Sequence, residues 1–225
     1  MGRVTLVHDK LLGRDIALKE PTIGQPGDAL HLEASLTARL EHPAVVPVYD
    51  ALRMPDGRFA YTMRLLRGRS LDRVLAQADL DGATRRGLLR HLLVASQAVA
   101  WAHKHGVVHR DLKPANIMIG EFGETQVVDW GLARHLATEA SPRGVAGTPH
   151  YMSPEQAAGR PADARSDVYA LGLVLYEVLT GRRVRPESGT EQALKAARSG
   201  AGPVRDDAIP GDLWAVIQRA TAATP

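Results

Sequence analysis

The segment that most constrains the fold of this chain is residues 109–116, which read HRDLKPAN. An apolar run precedes the segment, and further apolar residues separate it from Asp129, which lies thirteen positions beyond Asn116. The runs at 117–119 and 125–128 predict the two strands of a β-hairpin. We therefore expect one loop before the hairpin and a second loop that begins at Asp129, directly after it.

A hairpin in this position brings three polar side chains together: Asp111, Asn116 and Asp129. Carboxylate and amide oxygens are hard ligands of the kind that Mg²⁺ prefers. Lys113, in the same segment, adds a compact positive charge that suits a phosphate group. A single carboxylate would indicate little, but this set of groups in this order indicates phosphoryl transfer.

The composition excludes several other classes of protein. The chain has 225 residues, 44% of them hydrophobic and 24% charged, which is typical of a soluble globular protein with room for one domain or two small lobes. It has no cysteine, which excludes disulfides and thiol chemistry and is consistent with a reducing, cytoplasmic location. The net charge of +3 is small, so we expect no nucleic-acid partner, and we interpret the basic run 182–185 as solvated surface. No apolar stretch reaches the roughly 18 residues that a membrane-spanning helix needs.

Residues 109–116 resemble the catalytic loop of protein kinases, and Asp129-Trp130-Gly131 resembles their metal-binding Asp-Phe-Gly. Lys113 followed by Pro114 is similar to the serine/threonine branch of that family. The overall pattern resembles that of bacterial Hanks-type serine/threonine kinases.

The resemblance implies an α+β fold in which residues 1–225 form a single kinase domain. A small N-lobe and hinge, with an antiparallel sheet and one key helix, would occupy residues 1–67. A mainly helical C-lobe would occupy residues 68–225. Trp130 replaces the commoner phenylalanine and is expected to pack under the helix that carries Glu33.

The resemblance also implies which residues bind ATP. Lys19 ends an Ala-x-Lys pattern on a predicted strand and would hold the α- and β-phosphates, with Glu33 as its ion-pair partner. Without the resemblance, the sequence favours a phosphate-binding role for Lys19 no more than it favours an exposed lysine on a strand. Met63 would flank the adenine pocket as the gatekeeper residue. The carbonyl of Arg64 and the amide of Leu66 would hydrogen-bond the adenine edge.

The same resemblance assigns roles in catalysis. Asp111 would accept the proton of a Ser or Thr hydroxyl, and Lys113 would neutralise charge on the γ-phosphate. Asn116 and Asp129 would hold Mg²⁺, with Mn²⁺ as an alternative ion. Thr148 would hydrogen-bond Asp111 and Lys113, as in members specific for serine and threonine. The partners implied are ATP and proteins with Ser or Thr acceptors, and the oligomeric state is not predicted.

Residues 129–155 resemble the family's activation segment. Arg110 supplies a cation that can dock a phosphorylated residue of that segment. Thr138 and Ser141 are the hydroxyl residues in its open part. Asp167 matches the family's aspartate that anchors the backbone of the catalytic loop.

At both ends of the chain, the sequence matches only part of the family pattern. Gly2 matches only the last glycine of the Gly-x-Gly-x-x-Gly loop, so we expect a nucleotide without that loop's cover and an unpaired sheet edge at 4–7. The chain stops before the arginine that usually pairs with Glu155. We therefore expect Glu155 to be a buried carboxylate without its partner.

Three functions remain open. The first is a protein serine/threonine kinase, and the second is a truncated, weakly active or inactive kinase-like module that binds nucleotide or a partner. The third is a small-molecule kinase of related fold, which is disfavoured because residues 147–155 resemble a protein-substrate loop. A metal site at His103, His105 and His109 is also disfavoured, since the first two are two positions apart on a predicted helix and do not share a face.

Overall fold

In the N-terminal part of the chain, an antiparallel sheet carries a helix. The computed structural model describes residues 2–22, 27–77, 80–137, 144–186 and 189–222. The N-terminal elements within these ranges are β1 (Gly2–Asp9), β2 (Arg14–Pro21), α1 (Gly27–Arg39), β3 (Val48–Arg53) and β4 (Phe59–Met63). The strands are ordered β1-β2-β4-β3, and each neighbouring pair is antiparallel.

Strand β1 lies at the edge of this sheet, with β2 as its neighbour among the described residues. The two strands form a hairpin with its turn at Gly13, and Val4 faces Lys19 across the pair. Val4 and Leu6 are 53% and 60% exposed. Within the described residues, the segment 4–7 therefore lies at the edge of the sheet.

The rest of the chain is mainly helical, which confirms the predicted α+β class. Its helices are α2 (Leu71–Leu75), α3 (Gly82–Lys104), α4 (Pro154–Ala157), α5 (Ala164–Thr180), α6 (Thr190–Arg198) and α7 (Gly211–Ala220). Its short strands are β5 (Gly68–Ser70), β6 (Val107–Val108), β7 (Ile117–Gly120), β8 (Thr125–Val127) and β9 (Arg134–His135). Within the described ranges, no helix combines the length and apolarity needed to cross a membrane.

The main core lies where α3 packs against α5. The apolar face of α3 is buried there: Leu88, Leu92, Ala95, Val99 and Ala102. Asp81 accepts a hydrogen bond from the backbone N–H of Thr84, which caps this helix. Because the core reaches up to β7 and β8, it forms a fixed base beneath the two predicted loops.

The predicted hairpin of β7 and β8 is confirmed. Its register pairs Ile117 with Val127, and both side chains are fully buried. The N–H of Val128 donates to the carbonyl of Asn116 at 3.0 Å. The start of the second loop is therefore bonded directly to the end of the first.

The basic run 182–185 is not a uniformly solvated surface, so that prediction is wrong for one of its members. Arg182 and Arg183 are exposed and bonded to Asp206 and Glu177. Arg185, in contrast, is 0% exposed. The segment turns inward after α5, and this turn is not encoded in the local pattern of charges.

Candidate active site

Three charged side chains meet between the sheet and the helical part. The Nζ of Lys19, on β2, lies 2.5 Å from Oε1 of Glu33 on α1 and 3.1 Å from Oδ1 of Asp129. Lys19 and Glu33 are both buried. The structure thus forms the expected ion pair and adds Asp129 to it.

A tyrosine that the sequence interpretation missed completes this cluster. Tyr61 on β4 is the cross-strand partner of Lys19, and such partners project from the same face of a sheet. Its Oη donates to Oε1 of Glu33 at 3.0 Å. A Cβ added at Gly131 would lie 3.2 Å from Oε2 of Glu33 and 3.5 Å from Oδ1 of Asp129, so the glycine leaves room for these carboxylates.

The electrostatics of this cluster favour its charged form. Burial alone would lower the pKa of Lys19, but the charges of Glu33 and Asp129 outweigh burial and raise it. Burial opposes ionisation of Asp129 as well, yet Lys19 brings the pKa of that carboxyl below its ordinary value. The ammonium and the carboxylate are therefore both charged at neutral pH.

The catalytic loop presents a second polar cluster. The Nζ of Lys113 donates to Oδ2 of Asp111 at 2.7 Å and to Oγ1 of Thr148 at 2.8 Å. The hydroxyl of Thr148 donates to Oδ1 of Asp111 at 2.7 Å. The three predicted residues thus form a closed triangle of hydrogen bonds.

A buried carboxylate fixes the backbone of this loop. Asp167, near the start of α5, accepts from the N–H of His109 and from the N–H of Arg110, each at 2.8 Å. Nε2 of His103 lies 2.8 Å from the same carboxylate. Arg110 has a φ of 70°, a conformation that is costly for a side chain of this size. The bonds to Asp167 offset that cost, as expected for an anchor of the loop.

Asn116 and Asp129 are the two residues that the metal hypothesis assigns as ligands. The Nδ2 of Asn116 donates to the carbonyl of Asp111 at 2.8 Å, so its Oδ1 is the atom that can bind a cation. Asp129 has a φ of 63° and stands at the start of the second loop. A carboxylate and an amide oxygen fit Mg²⁺, which usually keeps several waters and takes few protein ligands. In the described part of the chain, no group of three or more His, Cys, Asp or Glu residues offers an alternative site.

A continuous cleft adjoins these residues. One cavity of about 300 Å³ is lined by Lys19, Glu33, Asp111 and Asp129, among others. A second cavity of about 340 Å³ shares Lys19, Glu33 and Asp129 with the first. Lys113 and Thr148 both contact Asp111, which lines the first cavity.

The second cavity contains the residues expected around adenine. Met63, Arg64 and Leu66 all line it, together with apolar side chains from both parts of the chain. The N–H of Arg64 donates to the carbonyl of Pro47 at 3.1 Å. The cavity is mainly apolar, as a purine ring requires.

Trp130 lies where the sequence predicted. Its indole is 1% exposed, and the turn Trp130–Leu132 contacts α1, the helix of Glu33. The centroid of the ring also lies 4.6 Å from that of the His109 ring, with the two planes tilted by 55°. The larger ring is thus accommodated beneath the helix, in place of phenylalanine.

One expectation is not met as stated, and another falls outside the described residues. Glu155 is neither fully buried nor without a partner, because Ser166 on the first turn of α5 donates to it at 2.5 Å. That expectation was therefore wrong. Thr138 and Ser141 lie outside the described residues, and their role stays a prediction.

The three histidines considered as metal ligands have other contacts. His103 lies against Asp167, the Nδ1 of His105 is 2.8 Å from the carbonyl of Trp101, and Nε2 of His109 is 3.2 Å from the carbonyl of Val128. The imidazole of His109 therefore connects the two loops, as a structural residue does.

An α+β fold with this lysine–glutamate–aspartate cluster and this catalytic loop is the fold of a protein kinase. In agreement, residues 1–206 match the family model described as the protein kinase domain. The chain belongs to this family.

Its relatives include bacterial serine/threonine kinases, which confirms the resemblance. The serine/threonine-protein kinase PknB of Mycolicibacterium smegmatis is 38% identical over 246 positions that cover 100% of this chain and 38% of the relative. The DNA damage-responsive serine/threonine-protein kinase RqkA of Deinococcus radiodurans is 42% identical over 191 positions, covering 80% of this chain and 28% of the relative. The chain thus spans well under half the length of these curated relatives.

Proposed function

We propose that this chain is an ATP-dependent protein kinase that transfers the γ-phosphate of ATP to serine and threonine hydroxyls of proteins. The observation that carries the proposal is the contact of Thr148 with both Asp111 and Lys113. This contact connects the loop of Thr148, which is expected to bind the protein acceptor, with two functional groups. Asp111 acts on the acceptor hydroxyl and Lys113 acts on the phosphate. The names of the relatives, which are serine/threonine-protein kinases, support the same activity.

On the acceptor side, Asp111 orients the serine or threonine hydroxyl and accepts its proton. The hydroxyl oxygen forms the new bond to the γ-phosphorus while the bond to the β–γ bridging oxygen breaks and ADP leaves. Lys113 is bonded to Asp111 and supplies positive charge beside the transferred group. Positioning and charge stabilisation, rather than covalent catalysis, provide the acceleration in this chemistry.

On the nucleotide side, Lys19 binds the α- and β-phosphates. An ammonium has three N–H donors, and the bonds to Glu33 and Asp129 account for two of them. Asn116 and Asp129 would hold Mg²⁺, which would supply positive charge to offset that of the phosphates. The adenine lies against Met63, with backbone bonds to Arg64 and Leu66.

The proposal is tested with radiolabelled ATP, Mg²⁺ and a generic protein acceptor that offers both serine/threonine and tyrosine. Asp111→Asn should lower kcat by about 10²- to 10⁴-fold because it removes the proton acceptor. Asp129→Ala should leave no detectable transfer. The control is Asp212→Asn, which changes an exposed aspartate of α7 and should leave activity unchanged. Label should appear on serine and threonine only.

Each contrary result has a definite meaning. Normal transfer by Asp129→Ala would contradict the metal assignment, and label on tyrosine would contradict the acceptor class. Saturable ATP binding by the wild-type chain without transfer would favour a nucleotide-binding module instead. The cytoplasmic location expected from the sequence stays a prediction.

Regulation by phosphorylation is a separate part of the proposal. Arg110 precedes Asp111 and donates to the carbonyl of Leu132, so its cation lies beside the first residues of the activation segment. A phosphate on Thr138 or Ser141 would then find a cationic partner. Mass mapping after incubation with ATP tests this, and the absence of phosphate on both residues would remove it.

A further inference from the structure

Arg185 is the most unusual buried side chain outside the cleft. It is 0% exposed, although it belongs to a run of basic residues that ordinary patterning places at the surface. Removing a guanidinium from water is costly unless its N–H donors are satisfied by well-placed acceptors. The acceptors of Arg185 therefore indicate which segments its buried guanidinium connects.

The described hydrogen bonds of Arg185 join three separate segments. Its Nη1 donates to the carbonyl of Met152 at 2.7 Å and to that of Pro149 at 3.2 Å. Its Nη2 donates to Oη of Tyr169 on α5 at 2.7 Å. Both Nε and Nη2 lie 3.3 Å from the carbonyl of Ala201, which follows α6.

Two of these acceptors lie in the turn that presents Thr148. The N–H of Tyr151 donates to the carbonyl of Thr148 at 2.9 Å, which closes a turn over residues 148–151. The carbonyl of Pro149, inside the turn, and that of Met152, directly after it, both point to Arg185. On the opposite side, the hydroxyl of Thr148 reaches the catalytic loop.

Two further contacts among the described residues restrain the same loop. Gly147 has a φ of +120°, and a Cβ there would lie 3.0 Å from the carbonyl of Arg110, which fixes how the loop enters. The hydroxyl of Tyr151 donates to Glu177 at 2.6 Å. Neither of these two contacts binds the carbonyls of Pro149 and Met152, which the guanidinium binds.

We propose that Arg185 is a positioning residue for protein-substrate binding: it orients the turn at 148–151 so that Thr148 contacts Asp111 and Lys113. This inference rests on the proposed kinase function and deepens it. A planar guanidinium carries five donors in a fixed arrangement, so it can bond several carbonyls at once. Lysine has a compact ammonium and cannot replace that geometry, although it keeps the charge.

The test compares Arg185→Met with Arg182→Met in the full chain. Both changes remove a guanidinium from the same basic run, but Arg182 is exposed and bonded to Asp206 at the surface. Hydrogen exchange of residues 147–153 is measured first, because it reports on the turn without requiring activity. Arg185→Met should lose protection there by about ten-fold or more, the loss expected for one charge-assisted hydrogen bond, and Arg182→Met should not.

Kinetics then separate positioning from general support of the fold. Arg185→Met should raise KM for the protein acceptor about ten-fold or more, while KM for ATP stays within about two-fold of wild type. Arg185→Lys should have a KM for the protein acceptor between that of wild type and that of Arg185→Met. If Arg185→Met does not fold, Arg185→Lys carries the same comparison, because it keeps the charge and most of the volume.

Three outcomes would overturn or redirect the inference. Unchanged protection of residues 147–153 in Arg185→Met would refute it. A parallel loss of ATP and acceptor affinity together with a lower Tm would show a merely structural role and would refute it as well. If wild type and Arg182→Met transfer no phosphate, the proposed function fails, and hydrogen exchange still decides whether Arg185 orients the turn.

Discussion

Replacing Tyr61 by phenylalanine removes one hydroxyl from the centre of the nucleotide site and leaves the rest of the side chain in place. That hydroxyl donates to Oε1 of Glu33, the same oxygen that Lys19 contacts at 2.5 Å. Tyr61 is 2% exposed and Glu33 is 6% exposed, so solvent screens the bond little. Burial first, and the charge of Glu33 second, raise the pKa of Tyr61, so the phenol stays a neutral donor at neutral pH.

The magnitude follows from this geometry. A hydrogen bond to a charged group contributes about 1.5–3 kcal/mol. Because Glu33 keeps its bond to Lys19 in the variant, the lower end of that range applies. We expect the free energy of unfolding to fall by about 1.5 kcal/mol. The same loss lets Glu33 turn away from Lys19 more often, so KM for ATP should rise by up to about ten-fold.

Urea unfolding gives the first quantity and ATP titration of the phosphotransfer rate gives the second. Tyr151→Phe is the matched control, because it removes a tyrosine hydroxyl bonded to another buried carboxylate, Glu177. The control should lose similar stability and keep the wild-type KM for ATP. If Tyr61→Phe matches wild type in both measurements, Tyr61 does not position Glu33 and the reasoning fails.

Three further changes test other parts of the structure. Asp167→Ala leaves two N–H donors of the catalytic loop without their acceptor, so urea unfolding should show a loss of about 2–4 kcal/mol; a loss below about 0.5 kcal/mol would contradict its role as an anchor. Burial first, and Arg90 second, hold the pKa of His91 below its ordinary 6.5, so the unfolded chain takes up the proton first as pH falls. Stability should therefore decline below about pH 6.5, and less steeply in His91→Gln; equal slopes would refute this. Thr148→Ala should raise KM for the protein acceptor and leave KM for ATP unchanged, and an effect on ATP alone would contradict the placement of Thr148.

The catalytic loop could be predicted from sequence because its geometry is local. Asp111, Asn116 and Asp129 lie on two loops joined by one short hairpin, and the register of that hairpin follows from its apolar residues. Thr148 also reached its predicted partners, because the family pattern places its loop. The residues of the two loops needed no knowledge of distant packing, whereas the placement of Thr148 came from the family pattern.

The contacts that sequence reasoning missed depend on elements far apart in the chain. Tyr61 faces Lys19 because β4 pairs with β2 across an intervening helix and strand, and no local signal sets that register. Arg185 is buried because the chain turns inward after α5. The partner of Glu155 is Ser166, eleven positions further on, where the resemblance suggested only a distant arginine.

The orientation of α1 connects these observations. The nucleotide site requires Glu33 on α1 to meet Lys19 on the sheet and Asp129 on the helical part, and two contacts hold α1 from opposite sides. Tyr61 holds Glu33 from the sheet, and Trp130 packs against α1 from the loop. Because Trp130 and Asp129 are neighbours in one segment, any change that moves this segment alters the packing of the helix and the proposed cation site together. Loss of Trp130 packing should therefore weaken both ATP and Mg²⁺ binding, whereas loss of the Tyr61 hydroxyl should weaken ATP binding first.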